Sequence, residues 1–270
     1  GLLILRHDPH FKRFDLRKHR EYAALLRSKT MQHAFGLSLL NSSFSGVDDN
    51  PAPPAYRIAT LYYTRRLSPK ISYGAQLLFT GRQSGTGIMG EGDLTYTASK
   101  LLYWKASIGI SNNVLLPKYR LAYSLYRQLG KGFEGEIGTR FLEVVEVKAL
   151  FLVAGVSKSF APFLLNARIF AIKEEKDFYL AFQAGAKYEL TEADLLQANF
   201  GMGTSPDDRS RLILLPELGG VMSRSLGAGY RRTINYRTSL GLNGTYTSQK
   251  IGTATFRNQY DLLLALQVKF

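Results

Sequence analysis

The sequence predicts an all-β fold, an antiparallel transmembrane β-barrel of about 14 strands, with 12 to 16 strands compatible with the same pattern. Three observations carry the prediction: alternating apolar and polar residues in the C-terminal stretch, evenly spaced tight turns, and charged residues on the strand face opposite the apolar one. The expected barrel covers residues 31–270, and a short basic helical lead-in covers residues 1–30.

The C-terminal stretch 256–270 alternates in polarity along most of its length. An extended strand with this pattern has one apolar face and one polar face, interrupted only by Leu263 and Ala265. The stretch resembles the closing strand and sorting signal of bacterial outer-membrane barrels, with the signal formed by Tyr260, Leu262, Leu264, Leu266, Val268 and Phe270. Taken alone, it also fits an amphipathic strand of a soluble sandwich.

The composition suits a barrel and disfavours several other classes. Hydrophobic residues make up 45% of the chain, the mean hydropathy is -0.11, and no run approaches the roughly 20 apolar residues of a membrane-spanning helix. In a barrel only alternate strand residues meet lipid, so the average hydropathy stays near neutral. The 16 Tyr, 16 Phe and 25 Gly suit aromatic girdles and bends. With no Cys, a disulfide framework and a cysteine nucleophile are excluded.

The formal net charge of +14 is dispersed along the chain. Pairs such as Arg65-Arg66 and Arg231-Arg232 lie near predicted strand ends, where cations meet anionic lipid head groups or lipopolysaccharide phosphates. No nucleic-acid-binding motif accompanies the charge, so nucleic acid is not expected as a partner.

The first 30 residues differ from the remainder of the chain. The segment 19–29 has the pattern of a short amphipathic helix, and basic residues precede it. We interpret this region as a solvated lead-in to the barrel, with a docking surface for acidic partners or lipid as the alternative. The apolar start, Gly1 to Leu5, is too short for the core of a signal peptide, so we expect the sequence to begin inside a processed chain.

Tight-turn residues recur from Met31 onward at intervals of about 31 residues, with a wider last interval. They lie at 68–70, 99–100, 130–131, 161–162, 191–192 and 235. Each interval holds two strands of roughly 10 to 13 residues and one longer connection. The longer connections are expected at 46–54, 85–87, 111–113, 173–177, 203–217 and 249–255. Both termini are then expected on the short-turn, periplasmic side.

Charged residues in mid-strand alternate with apolar residues in several segments. Facing lipid would cost such a charge about 2–4 kcal/mol, so these side chains are expected to line the lumen and neutralise one another. The set is Arg120, Glu134, Glu136, Arg140, Arg168, Lys187, Arg237 and Asp261. Within it, Glu134 and Glu136 are expected to form an ion-pair ladder with Arg120 or Arg140. Such a network either plugs a narrow barrel or lines a pore.

A series of segments resembles the YaiO-type outer-membrane β-barrel domain. They are Tyr119 to Arg127, Gly130 to Glu134, Gly155 to Lys158, Gly203 to Arg211 and Tyr230 to Thr233. The resemblance spans about Met31 to Phe270 and implies an outer-membrane location and an envelope role near surface-polysaccharide systems. It implies no reaction and no catalytic residues. Members of the family often carry tetratricopeptide-like repeats before the barrel, and residues 1–30 match at most a remnant of them.

The loop within the segment Gly203 to Arg211 has its own physical interpretation. A proline followed by two aspartates favours a stiff turn, and the carboxylates can pair locally with the arginines after them. A glycan contact or a calcium ion, given further oxygen ligands, is the alternative. The residues concerned are Ser205, Pro206, Asp207, Asp208, Arg209 and Arg211.

No enzyme motif is found. The histidines are confined to positions 7, 10, 19 and 33, and we expect His33 to be a passive strand residue and not a catalytic base. His7 and His10 with Asp8 make a weak metal pair. Glu134 and Glu136 lie in a row along one strand, whereas glycosidase carboxylates face each other across a cleft. No catalytic residue, metal site or cofactor is expected.

The working hypothesis is a non-enzymatic outer-membrane channel or structural subunit in export or assembly of surface polysaccharide. Alternatives are a plugged scaffold that recruits lipoproteins or a larger outer-membrane complex, and a lipid-modifying barrel enzyme. Expected partners are outer-membrane lipid, lipopolysaccharide and, during insertion, the barrel-assembly machinery.

Overall fold

The computed structural model describes residues 32–45, 52–83, 85–113, 115–144, 147–174, 177–203, 223–235, 237–251 and 255–270. The predicted lead-in at 1–30 and the loop residues 205–211 lie outside the described residues. The described chain forms fourteen strands: β1 (His33–Phe44), β2 (Tyr56–Arg66), β3 (Ile71–Arg82), β4 (Gly85–Thr97), β5 (Leu102–Ser111), β6 (Tyr119–Gly130), β7 (Phe133–Val144), β8 (Val147–Phe160), β9 (Phe163–Glu174), β10 (Asp177–Glu189), β11 (Asp194–Met202), β12 (Ser223–Thr233), β13 (Thr238–Ile251) and β14 (Thr255–Lys269). Among these residues no helix has the length and apolar character needed to cross a membrane.

The strands close into a single antiparallel barrel. Each strand pairs with its sequence neighbours, and β1 pairs with β14 to complete the ring. The seam extends to the chain's last residue, because the amide of Phe270 donates to the carbonyl of His33 at 2.9 Å and the amide of His33 donates back at 3.0 Å. Closure leaves no strand edge unpaired, as a sheet in lipid requires. The predicted fold class and strand number are confirmed.

The connections define two ends of the barrel. The turn end carries β1's start, β14's end and the connections 67–70, 98–101, 131–132, 161–162, 190–193 and 234–237, which match the six predicted turns. The loop end carries the connections 45–55, 83–84, 112–118, 145–146, 175–176, 203–222 and 252–254. The expectation of a longer connection in every interval is wrong, because only 45–55, 112–118 and 203–222 are long. Residues 85–87, which were predicted as a connection, form the start of β4, where Gly85 pairs with Arg82 of β3.

The outer face of the barrel is apolar. Ile137, Phe178, Leu180 and Leu226 are each more than 60% exposed, and large apolar side chains alternate outward on every strand. Toward the turn end, aromatic rings pack on one another across strands, with centroids 5.7 Å apart for Tyr96 and Trp104. An exposed apolar band bordered by aromatic rings is typical of a membrane barrel.

The interior of the loop half contains two apolar clusters on separate walls. One comprises Phe44, Tyr56, Ile58, Leu78, Met89 and Leu116, and the other comprises Leu142, Phe151, Val153, Phe170, Ile172 and Ala181. Alternation of polar and apolar residues does not predict these clusters. Their strands are apolar on both faces near the loop end, as in Phe151 to Val153, so alternation gives no signal there.

Candidate functional site

Ionic side chains converge on one part of the barrel interior, the inward faces of β4 to β9, which we call the charged wall. Strand pleating directs them inward: on β6, Arg120 and Ser124 are buried, whereas Leu121 and Tyr123 between them are exposed on the outer face. Charges on the inner face avoid the cost of contact with hydrocarbon. The alternation of polar and apolar residues along the strands therefore directs the charged wall to the barrel interior.

Glu136 on β7 is the centre of the charged wall. Its carboxylate accepts hydrogen bonds from Ser124 Oγ at 2.7 Å and from the Tyr126 hydroxyl at 2.8 Å. It also pairs with Arg168 Nε at 2.7 Å and with Arg140 Nη2 at 3.4 Å. Because Glu136 is only 6% exposed, these partners replace the water that an ionised carboxylate needs.

Two ion pairs of the charged wall join strands that are not neighbours. Arg168 on β9 reaches Glu136 on β7 across Gly155, which is paired with both residues. Arg120 on β6 reaches Glu91 on β4 at 2.6 Å, with Gly109 of β5 between the two strands. Alternate strands lie about 10 Å apart, so a side chain at the intervening position would occupy the path of each ion pair.

Glycine is required more strictly at one of these crossings. A Cβ atom on Gly155 would lie 3.0 Å from Arg168 Cγ and 3.3 Å from both Ala167 O and Glu136 Oε2. A Cβ atom on Gly109 would lie 3.4 Å from Arg120 Cβ and 3.6 Å from Glu91, an ordinary van der Waals contact. The Arg168 crossing is therefore the tighter of the two.

A pair of stacked rings borders the network toward the turn end. Tyr103 and Tyr126 lie 4.6 Å apart at 6°, and Lys105 places its ammonium 5.3 Å from the Tyr126 centroid. The Tyr103 hydroxyl donates to Glu134 at 3.0 Å, and the Gln128 amide donates to the same carboxylate. Beside these rings is an interior cavity of about 210 Å³, lined by polar groups of β3 to β7 that include Glu91, Asp93, Lys105, Arg120 and Arg140.

A second polar network lies inside the barrel at its closing seam. Gln259 donates to Asp261 at 2.8 Å, and Ser42 of β1 donates to the same carboxylate. Gln249 of β13 donates to Gln259 at 2.9 Å, and the guanidinium of Arg257 donates to Gln249 at 3.0 Å. These bonds tie β13, β14 and β1 together where the first and last strands meet.

The structure brings together some of the residues that the sequence selected and separates others. Glu134, Glu136, Arg140 and Arg168 lie in one network; Arg120 pairs with Glu91, and Asp261 belongs to the seam. Of the expected ladder, the Glu136–Arg140 pair is present, but Arg120 pairs with Glu91, which lies outside the predicted set. Lys187 faces inward from β10 but lies away from the network, because it pairs with Leu164, four residues along β9 from Arg168. Arg237 is an exposed residue of the turn 234–237.

The predicted sorting residues lie on the outer face of β14 and at its end. Tyr260, Leu262, Leu264 and Phe270 are at least half exposed there, Leu266 is 37% exposed, and Val268 is partly buried. Leu263 and Ala265, which interrupt the alternation, point to the interior between Asp261 and Gln267.

Several residues of the charged wall lie outside the set predicted from the sequence, namely Glu91, Asp93, Tyr103, Lys105 and Tyr126. A signal was present: in β4, Glu91, Asp93 and Thr95 alternate with Leu94 and the glycines beside it. Gly90 and Gly92 weakened the polar–apolar alternation of β4, since a glycine identifies neither a polar nor an apolar face.

The described residues show neither a metal cluster nor a catalytic triad at His33. They contain no group of three or more His, Asp or Glu side chains able to hold a metal ion. His33 lies on the outer face at the turn end, where its Nδ1 is 2.6 Å from the Tyr63 hydroxyl and its ring stacks on Phe270 at 5.5 Å. No acidic partner of a triad is among these contacts.

A family model described as the YaiO membrane beta barrel domain matches residues 32–208. The chain belongs to this family. The match confirms the resemblance seen in the sequence and assigns this YaiO-family barrel to the outer membrane. No match was found among curated proteins.

Solved outer-membrane proteins resemble this YaiO-family barrel in fold. A deletion mutant of the monoaromatic hydrocarbon channel TodX gives a TM-score of 0.63 at 12% identity, over 93% of this chain and 95% of that one. The Acinetobacter baumannii outer membrane protein Omp33 gives 0.52 at 12% identity, over 88% and 99%. A bacterial polysaccharide outer membrane secretin gives 0.56 at 10% identity, over 87% and 98%. At such identities the likeness concerns the fold alone.

Proposed function

We propose that this YaiO-family barrel is a non-enzymatic channel or structural subunit that serves export or assembly of surface polysaccharide. The observation that carries the proposal is the charged wall, which presents carboxylates, cations, hydroxyls and a tyrosine ring around an interior cavity of about 210 Å³. Sugars expose hydroxyl groups that bond to such side chains, and apolar ring faces that pack on aromatic rings. The fold shared with a polysaccharide outer membrane secretin is compatible with this role.

Conductance and surface glycans together test the proposal. The purified barrel in planar lipid bilayers is expected to give discrete conductance steps, and deletion of its gene is expected to change the surface polysaccharide. Absence of conductance combined with unchanged surface glycans would refute both the channel and the structural subunit.

We propose in addition that the turn end, with both termini, faces the periplasm. The chain contains no Cys, so single cysteines report on each end without background. We expect a membrane-impermeant maleimide to label Asn112→Cys at the loop end of intact cells, and to label Lys100→Cys at the turn end only after the outer membrane is permeabilised. Labelling of Lys100→Cys in intact cells, with Asn112→Cys labelled only after permeabilisation, would show that the loop end faces the periplasm.

A plugged scaffold is the second candidate, and the apolar clusters of the loop half favour it. Tyr56, Leu78, Met89 and Phe170 are 0% exposed although they point into the barrel, so packing covers the inner face at these positions. If the barrel is a scaffold, we expect lipoproteins or other outer-membrane proteins to co-purify with it in gentle detergent. We also expect the barrel not to conduct. Stable conductance of the purified chain without partners would exclude this candidate.

The non-enzymatic part of the proposal has its own test. A lipid-modifying barrel that used His33 as its base would lose activity in His33→Ala. We expect this substitution to leave the lipid A and phospholipid composition of the cells unchanged, because His33 contacts only aromatic side chains and the backbone of Phe270 among the interactions described. A changed lipid composition would contradict the proposal.

A further inference from the structure

Lys105 is an exposed lysine on the inner face of β5. Its ammonium lies 5.8 Å from the centroid of the Tyr103 ring and 5.3 Å from that of Tyr126, and these rings are stacked on each other. Attraction between the cation and the ring faces favours this position of the ammonium beside the cavity. The side chain therefore presents a positioned charge to the barrel interior.

Lys105 differs from the arginines that line the same cavity. Arg120 is paired with Glu91 at 2.6 Å, and Arg140 is paired with Glu136 at 3.4 Å. Among the described residues, no carboxylate forms an ion pair with Lys105, whose contacts are the two tyrosine rings. Its positive charge is thus available to an anion entering from the lumen.

The remaining lining groups define what such an anion must carry. Of the three cations in the lining, Arg120 is paired with Glu91 and Arg140 with Glu136, which leaves Lys105 to meet an added anion. The lining also includes a set of neutral hydrogen-bonding groups: Gln76, Thr95, Ser107 and Ser124. A matching ligand has one negative charge and several hydroxyl groups.

We propose that Lys105 binds the carboxylate of an acidic sugar in this cavity, a hexuronate unit being the simplest form. The inference rests on the proposed role in polysaccharide passage and specifies the class of polymer. A neutral sugar leaves the Lys105 charge without a partner, and a simple carboxylate leaves the hydroxyl and amide groups of the lining unused. A charge-assisted hydrogen bond is the stronger kind, so removal of the ammonium weakens binding more than removal of a neutral group.

The test measures binding of three probes to the full chain in detergent by calorimetry: glucuronate, glucose and acetate. We expect glucuronate to bind at least about tenfold more tightly than either of the others. Lys105→Gln is expected to abolish this preference, and Lys105→Arg, which keeps the charge, is expected to retain most of it. The matched control is Lys158→Gln, since Lys158 also lies over an aromatic ring, that of Phe133, but on the outer face.

Three results would overturn the site. They are unchanged glucuronate affinity in Lys105→Gln, acetate that binds as tightly as glucuronate, and an equal loss in Lys158→Gln. The binding assay does not depend on conductance. A barrel that binds glucuronate but never conducts contradicts the channel and supports the site, whereas a conducting barrel with no preference for glucuronate contradicts the site alone.

Discussion

The inner face of the barrel has two chemically different walls. The charged wall on β4 to β9 buries ion pairs, with side chains of Glu136, Arg140, Glu91 and Arg120 at most 8% exposed. The inward faces of β11 to β13, which we call the amide wall, are mostly neutral, and their polar side chains include Gln197, Asn199, Ser225, Asn243, Thr245, Thr247 and Gln249. Arg231 is the inward cation of β12 on that wall.

The difference shows how each wall tolerates imperfect pairing. A buried charge without a partner costs several kcal/mol, so each charged side chain needs a partner at a fixed position. A neutral amide costs less: Asn243 Oδ1 is buried with no hydrogen-bond partner in the described part of the chain, whereas Arg120, whose Nε is likewise buried without one, keeps its ion pair to Glu91 through Nη1. The charged wall is therefore expected to be geometrically strict, and the amide wall permissive.

The largest expected effect is that of Glu136→Ala, which leaves Arg140 and Arg168 in the interior without their carboxylate. We expect a loss of about 3–5 kcal/mol in the free energy of unfolding. Guanidinium unfolding followed by the fluorescence of Trp104, the chain's only tryptophan, measures it. Glu136→Gln, which keeps an acceptor, is expected to lose less. A loss below about 1 kcal/mol in Glu136→Ala would mean that the ion pairs do not organise this wall.

A smaller effect is expected at the glycine crossings, which test how strict the wall is. Gly155→Ala places a methyl group 3.0 Å from Arg168 Cγ and 3.3 Å from Ala167 O, and we expect a loss of about 1–3 kcal/mol. Gly109→Ala meets nothing closer than 3.4 Å and is expected to lose less than about 1 kcal/mol. The same unfolding titration compares the two variants. Equal losses would show that backbone flexibility, and not the ion-pair crossing, determines the effect.

The two arginines beside Glu136 allow a sharper comparison within the charged wall. Arg140 is 7% exposed and donates to Ser124 Oγ at 2.9 Å and to the carbonyls of Tyr123 and Thr139 at 3.0 Å. Arg168 is 33% exposed. Lysine cannot reproduce several donors at once, so Arg140→Lys is expected to cost about 1–2 kcal/mol and Arg168→Lys roughly half as much. A greater loss in Arg168→Lys than in Arg140→Lys would show that Arg168 contributes more to the stability of the charged wall than Arg140 does.

The sequence predicted the barrel because the decisive signals are local. Alternation places Glu134, Glu136 and Arg140 on one face, and turn residues at near-regular intervals mark the six hairpins of the turn end. The hairpin at 145–146 was missed, because the stretch from Phe141 to Val156 is apolar at many successive positions and offers no glycine or proline until Gly155.

The ion pairs that cross an intervening strand were not predictable, since they depend on the register of two successive strand pairings. Arg168 meets Glu136 only because both pair with Gly155, and Arg120 meets Glu91 only because Gly109 lies between their strands. Alternation gives the face on which a residue lies, but not its height relative to strands elsewhere in the sequence. Glu91 and Arg120 are far apart in the sequence, although Glu91 Oε1 lies 2.6 Å from Arg120 Nη1 in the barrel.

The smallest effect is expected in the amide wall. Asn243→Ala removes a buried amide whose Oδ1 makes no hydrogen bond within the described residues, so little is lost with it. We expect the free energy of unfolding to change by no more than about 0.5 kcal/mol, in the same Trp104 titration that is applied to Glu136→Ala. A loss comparable with that of Glu136→Ala would show that Asn243 holds its neighbours as firmly as an ion pair does. The contrast between the two walls would then lie in their charge alone, and not in how strictly each constrains its side chains.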